Sequence, residues 1–440
     1  MNFDNLKKTD PLCYDLVLKE MERQENTLEL IPSECIASLS TIEALGTPLT
    51  NKYSEGYAGK RYYGGNEYID EIEKLAISRA KELFKVPYVN VQPYSGSPAN
   101  FAVYCATCEP GDTIAGQSLL DGGHLTHGWS ASMTGKFFNS VQYHVKGDGY
   151  IDIENVRKVI LENKPKLVWI GASAYPREFP FKEIAEIAHQ VGAYVAADIA
   201  HISGLVVSGV HPSPNPYVHI ITTTTHKTLR GPRGGMIMVT DLGLQKDPDL
   251  GKKIDKAVFP GLQGGPHNHQ TLAIAVALGE ALSPSFVEQN FQIVRNAKFL
   301  AEKLQEKGFR LISGGTDNHL ILLDVGPGRG IFLQEALDKA GITLNKNTIP
   351  EEPVSAFFPS GIRLGTPIMT MRGMKEHEMK KVADFIYRVS EEIKEFSYLD
   401  TKEERLEQMK KFKEYIEKND SLLKIKKEVA ELCSNFPIYR

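Results

Sequence analysis

Three apolar runs constrain the fold most: KLVWIGAS (166–173), AYVAADIAH (193–201) and VHII (218–221), which four threonines follow. Each is short, bounded by turn or helix signals, and reads as a buried strand. Helical periodicity over Asp152–Asn163 and FKEIAEIAHQVG (181–192) places helices ahead of the first two runs. Helices alternating with buried strands call for crossover connections and a mostly parallel sheet. In open sheets of this kind ligands bind beyond the carboxyl ends of the strands. Ser173, Asp198 and Lys227 all fall at such ends, and three polar groups on one rim make an active-site pattern.

Lys227 sits where an apolar strand gives way to a turn containing Gly231, Pro232, Gly234 and Gly235. The threonines beside it offer hydroxyls but no counter-charge. An amine held this way has a lowered pKa and attacks carbonyls, so a Schiff base to an aldehyde cofactor is suggested. A lone lysine in a Gly/Pro loop reads first as a surface residue; other stretches of the chain, Asp198 among them, shift the balance. A carboxylate facing a pyridine nitrogen keeps it protonated and electron-withdrawing, so Lys227 and Asp198 together suit pyridoxal phosphate.

Other stretches add to the pair. Ser95-Gly96-Ser97-Pro98 follows a short strand and opens a helix, a pattern that turns backbone N–H groups towards a phosphate, although simple serine capping explains it too. Gly122 and Gly123 place His124 at the start of an element, where a ring could stack on a planar ligand. His124 and His127 have no third ligand at fixed spacing, so no metal is expected. Residues 50–73 crowd Tyr53, Tyr57, Tyr62, Tyr63 and Tyr68 among glycines, which suits a loop for ligand or subunit contacts, or an arm packed on a neighbour. Gly261, Gly264 and Gly265 form a turn that can approach a phosphate closely. Arg363 lies in a run of small and apolar residues. It suits bidentate capture of a carboxylate, with a structural ion pair as the alternative.

The rest of the 440-residue chain divides into residues 1–84 (helices and a dimer-contact arm), 85–283 (the large cofactor domain) and 284–440 (a smaller α+β domain). Phe291, Val294, Ala297, Ala301 and Leu304 are expected in the core, as are Met379, Val382, Ile386, Val389 and Ile393. Residues 401–431 read as a solvated helical face. Cys105 and Cys108 form a lone CxxC read as two buried helix cysteines. Five cysteines make no disulfide framework, and the opening MNFDNLKKTD lacks a signal-peptide core, so a cytoplasmic location is expected. A net charge of −4 and no basic stripe argue against nucleic acid, and no apolar run is long enough for a membrane span.

In order along the chain, LTNKYSEGYAGKRYYGG, SGSPANFAVY, GGHLTHG, ADIAHISGL, TTTTHKTLRGPRGG, FPGLQGGP and SGIRLGTP closely resemble serine hydroxymethyltransferase. The resemblance implies a fold-type-I pyridoxal-phosphate enzyme, a homodimer with shared sites, and leaves a tetramer open. Its reaction would convert L-serine and tetrahydrofolate reversibly to glycine and 5,10-methylenetetrahydrofolate through an aldimine on Lys227. Asp198 would bind the ring nitrogen and His124 would stack on the ring. Ser173 and His201 would sit on its O3′ side. Ser95, Gly96, Ser97 and His226 would hold the phosphate, with Gly264 and Gly265 coming from the second subunit. Arg363 would take the substrate carboxylate, near Ser33 and a Tyr53 from the second subunit. Tyr63 and Glu55 would also come from that subunit, Glu55 handling protons at the serine hydroxyl and the folate. Tyr62, Leu119, Gly123, Leu125 and Asn347 would line the folate site. Pro180, Cys35 and Ile36 depart from the family pattern without removing a catalytic group. A folate-independent threonine aldolase would share Lys227 and Asp198 but would not need Glu55, Tyr62 or Asn347.

Overall fold

The computed structural model describes residues 3–439. Seven strands form the main sheet: β1 (Tyr88–Asn90), β2 (Thr113–Gln117), β3 (Asn139–Tyr143), β4 (Leu167–Ile170), β5 (Tyr194–Asp198), β6 (Ile220–Thr224) and β7 (Gly235–Val239). Their spatial order is β1-β7-β6-β5-β4-β2-β3, with Asp198 of β5 opposite Thr222 of β6. Only β7 runs against its neighbours. The reason is the length of its connection. Residues 225–234 are too few for a helical crossover, which needs a dozen or more, so the chain returns as a hairpin.

The strands alternate in side-chain direction, and both faces are apolar. Ile114, Leu167, Trp169, Ala196 and Ile220 pack under the helix Gly96–Thr107. Ala115, Val168, Ile170, Val195, Ala197 and Ile221 belong to the core on the opposite face, which includes Ile184 and Ala188 of the helix Phe181–Gln190. A strand with no polar face must be covered on both sides. This layering directs the helices away from the rim where the strands end.

A second core lies around a four-stranded antiparallel sheet of β8 (Arg310–Leu311), β9 (Leu320–Asp324), β10 (Asn345–Asn347) and β11 (Gly361–Gly365), in the order β8-β9-β11-β10. The helices Pro284–Glu306, Gly330–Lys339 and Glu376–Glu392 cover it. Leu28 and Leu30 from the N-terminal segment are buried in this core, and Leu28–Glu29 pairs with Ile342–Thr343.

Three expectations change. Phe291 is 48% exposed, although Val294, Ala297, Ala301 and Leu304 are buried: a 23-residue helix has more faces than one core can cover. Residues 401–431 do not form a purely solvated face; the helices Lys402–Glu417 and Asp420–Ser434 bury Phe412, Ile416, Leu422, Ile425 and Val429 in the second core. The cysteine pair is not buried: the helix ends at Thr107, Cys105 is exposed, and Cys108 is its half-buried C-cap. Among the described residues no single helix is long and apolar enough to cross a membrane.

Arg372 joins the chain ends to the second core. It is 1% exposed and donates to the carbonyls of Gln24, Glu25, Thr27, Cys433 and Phe436 at 2.6–3.2 Å. These lie at the C-terminal ends of the helices Pro11–Asn26 and Asp420–Ser434, where carbonyls have no intrahelical partner. Arg372→Met should therefore lower stability to denaturant by about 3–5 kcal/mol, by stranding these acceptors, and leave the substrate KM unchanged.

Candidate active site

A cavity of about 200 Å³ opens at the carboxyl ends of β4, β5 and β6. Ala172 and Ser173 reach it from β4, Asp198, Ala200 and His201 from β5, and Thr224, His226 and Lys227 from β6. Ser95, Gly96 and Ser97 enter from the helix N-terminus, and His124 and His127 from the loop after β2. The sheet thus brings together the residues that the sequence distributes over more than a hundred positions.

Lys227 has its amine pushed down to about 8. Desolvation is the main cause; Asp198 opposes it, and Arg363 and Arg233 add to it. An amine with this pKa is partly neutral near physiological pH, as a nucleophile requires.

Asp198 is held differently. Burial alone would raise its pKa, but hydrogen bonding and charge from His127, the nearby His124 and a hydrogen bond from Asn100 together hold it well below the usual carboxylate range. His127 Nε2 lies 3.2 Å and Asn100 Nδ2 2.9 Å from Oδ2, and the Ala200 N–H donates to Oδ1 at 3.0 Å. Thr222 Oγ1 donates to Asn100 Oδ1 at 2.8 Å, and the His127 ring stacks on Trp169 with centroids 5.0 Å apart. His127, Asn100 and Thr222 were missed by sequence reasoning as supports of Asp198. The available signals were weak: Asn100 is four residues on from Gly96 on the same helix face, and Thr222 and Thr224 share a strand face. Ligand atoms of His124, His127 and Asp198 come within 4.8 Å of one another, but Asp198 Oδ2 already accepts from Asn100 and lies in hydrogen-bond reach of His127.

His124 is fixed by its neighbours. Gly122 has φ +91°, and its carbonyl accepts from the N–H groups of Ser173 and Ala174. A Cβ on Gly123 would lie 2.1 Å from the Gln117 carbonyl oxygen, so only glycine fits there. The ring that follows is mostly desolvated and pushed down to about 4, with Nδ1 2.7 Å from Thr126 Oγ1.

The residues present fit pyridoxal phosphate. Ser95 is the N-cap of the helix Gly96–Thr107, yet its hydroxyl makes no cap hydrogen bond. Thr224 Oγ1, His226 Nδ1 and His201 Nδ1 are buried polar atoms without a partner, and all three side chains line the cavity. Orphaned donors at a helix N-terminus suit a phosphate, and a buried carboxylate across the cavity suits a pyridinium.

Arg363 approaches from β11. Its Nε donates to Asn345 Oδ1 at 3.0 Å and its Nη1 to the Ser173 carbonyl at 2.5 Å. The guanidinium has five N–H donors, so three remain for a ligand. Burial lowers its pKa to about 10, still leaving it a cation at neutral pH. His201 is held neutral by desolvation and by Lys227 and Arg363, and stacks at 5.8 Å on His319. Ser33 lines an adjoining cavity with His226, Arg233 and Cys35. Burial pushes the Cys35 thiol up to about 12; the Ile36 side chain packs against the second core, and Pro180 is the N-cap of the helix Phe181–Gln190.

A second cluster lies outside the cavity lining. The Tyr53 hydroxyl is 3.2 Å from Glu55 Oε1, and the Tyr53 and Tyr63 rings meet edge-on at 5.1 Å. Gly264 and Gly265 belong to this cluster: a Cβ on Gly264 would lie 3.3 Å from Glu55 Oε1, and one on Gly265 would lie 3.1 Å from the Tyr53 ring. Tyr53, Tyr62 and Tyr63 are exposed. None of these residues lines the cavity that holds Lys227. Leu119, Gly123 and Leu125, by contrast, share the loop after β2, and Thr348, next to Asn347, donates to the Leu120 carbonyl at 3.0 Å.

Two comparisons bear on the site. The model of the family described as serine hydroxymethyltransferase matches residues 6–386. A serine hydroxymethyltransferase of Acidothermus cellulolyticus (strain ATCC 43068 / DSM 8971 / 11B) is 55% identical over 389 residues, covering 88% of this chain and 89% of its own.

The Lys227 amine should react with an acylating reagent in the cofactor-free protein along a titration curve centred near pH 8, read by mass spectrometry of its peptide. Reactivity rises with pH because only the neutral amine attacks.

Proposed function

The chain belongs to the serine hydroxymethyltransferase family, and from that premise we propose which of its residues carry the reaction. The enzyme is a pyridoxal-phosphate-dependent transferase that converts L-serine and tetrahydrofolate reversibly to glycine and 5,10-methylenetetrahydrofolate. When bound, the cofactor supplies an electron sink for the pair left at Cα when the Cα–Cβ bond breaks. The observation that carries the assignment of residues is the meeting of Lys227 and Asp198 on neighbouring strand ends, across from the open N-terminus at Ser95–Ser97.

Lys227 would anchor the cofactor and give it up to the substrate amine. Asp198, fixed by His127 and Asn100, would hold a proton on the ring nitrogen. Ser95, Gly96, Ser97 and His226 would hold the phosphate, His124 would hold the ring face, and Ser173 and His201 would hold the O3′ side. The three free N–H groups of Arg363 take the serine carboxylate, with Ser33 nearby. Leu119, Gly123, Leu125 and Asn347 line the folate site.

The remaining groups come from a second copy of the chain. Tyr53, Glu55, Tyr62, Tyr63, Gly264 and Gly265 cluster away from the Lys227 cavity, and the three tyrosines are exposed, so a homodimer that lends them across its interface completes each site. Glu55 then moves the proton at the serine hydroxyl and at the folate. The five free cysteines favour a reducing, cytoplasmic setting.

Lys227→Ala should abolish turnover. Glu55→Gln should lower serine cleavage at least 100-fold, as loss of a proton-transfer group does. Mixing the two variants and letting subunits exchange tests the shared site. A mixed dimer holds one intact site, and half the dimers are mixed, so about a quarter of wild-type activity returns. No recovery after confirmed exchange would place both residues in the same subunit's site. Serine cleavage unaffected by tetrahydrofolate would favour the aldolase reading.

A further inference from the structure

The loop that follows β4 is fastened to the second core along its length. Ser173 accepts from Arg363 Nη1 at 2.5 Å. The Tyr175 carbonyl accepts from Asn318 Nδ2 at 3.1 Å. The Pro176 carbonyl accepts from the Asp317 N–H at 2.9 Å and from Thr316 Oγ1 at 3.1 Å. Arg177 closes the row: Nε donates to Ser313 Oγ at 3.0 Å, Nη1 to Asp317 Oδ1 at 2.9 Å, and Nη2 to the Ser313 carbonyl. Its guanidinium also lies 5.4 Å from the Tyr150 ring centre.

The segment it grips leads back to Arg363. Asn318 Oδ1 accepts from the N–H of Leu320, the first residue of β9, at 2.9 Å. In the β9–β11 ladder, Leu322 is opposite Arg363. The connections therefore form a closed circuit: from Ser173 along the loop to Arg177, across to Asp317, through β9 to β11, and from Arg363 back to Ser173. Arg363 is held inside this circuit at two atoms, by Asn345 and by the Ser173 carbonyl.

We propose that Arg177 and Asp317 are positioning residues for substrate capture: by locking the post-β4 loop to β9, they set the plane in which Arg363 presents its free N–H groups to a carboxylate. The inference rests on the reading of Arg363 as the carboxylate site. Bidentate capture depends on the orientation of a planar fork, so a small displacement of the Ser173 carbonyl turns the fork away from its ligand. Arginine suits position 177 because one planar group reaches a hydroxyl, a carbonyl and a carboxylate at once; lysine offers a single point of charge. The side chains of Arg177 and Asp317 are 15% and 33% exposed, so solvent screens the charge pair and its effect on Arg363 is geometric rather than electrostatic.

The test is steady-state kinetics of the cofactor-loaded enzyme, with bound cofactor measured from its visible absorbance. Arg177→Ala should raise the KM for L-serine about fivefold or more and leave kcat within about twofold, because a carboxylate contact is made equally in the ground and transition states. Cofactor content should not change. Arg177→Lys should not restore the KM. Adding Asp317→Asn to Arg177→Ala should cause no further rise, since both break the same fork. A wild-type KM in Arg177→Ala, a further rise in the double variant, or a KM rise that tracks loss of cofactor would overturn the proposal. Arg363→Lys, measured alongside, separates the two readings. If it raises KM while Arg177→Ala does not, only this inference fails; if it leaves KM unchanged, the carboxylate reading falls and takes this one with it.

Discussion

The buried carboxylate of Asp198 is the constraint from which the rest of the site follows. An anion out of water costs several kcal/mol unless donors replace its hydration. Here the donors come from three parts of the chain: Asn100 on the helix after β1, His127 on the loop after β2, and the backbone beyond β5. Those elements must close on one point for the fold to tolerate the charge. Once they do, the helix N-terminus, the His124 loop and the Lys227 turn are brought onto the same rim. The anion also opposes the desolvation that lowers the Lys227 pKa, so the amine remains near its useful range.

The second core contributes one cation and a means of aiming it. Arg363 lies on an antiparallel strand of the small sheet, but its side chain is held both by Asn345 of that sheet and by a carbonyl of the loop after β4. On the proposed reading of Arg363, substrate recognition depends on how the two layers are registered. The row of hydrogen bonds between residues 173–177 and 313–318 is where that register is held.

The tyrosine arm shows the opposite arrangement. Tyr53 and Glu55 lie against Gly264 and Gly265, with Tyr63 against Tyr53, yet none of them lines the cavity of their own chain. Glycine at 264 and 265 keeps backbone close to the ring and the carboxylate, where a Cβ would be a tight fit. In the homodimer proposed above, the cluster prepared within one chain would serve the site of the other, so assembly would be part of the chemistry.

The sequence by itself determined the strands, the helices between them and the chemistry of the rim, because these depend on local periodicity and residue type. Apolar strand runs bounded by turns are legible without a structure, and so are Lys227, Asp198 and Ser95–Ser97 as polar groups at strand and helix ends, and Arg363 as a lone cation in a run of small and apolar residues. The tertiary structure alone decided the reversal of β7, the exposure of Phe291 and Cys105, and the buried faces of the two C-terminal helices. It also decided that His127, Asn100 and Thr222 serve Asp198, and that Arg177 reaches Asp317. These contacts span 71, 98, 122 and 140 residues. Periodicity reports which face of an element is apolar; it carries no information about which distant element that face will meet.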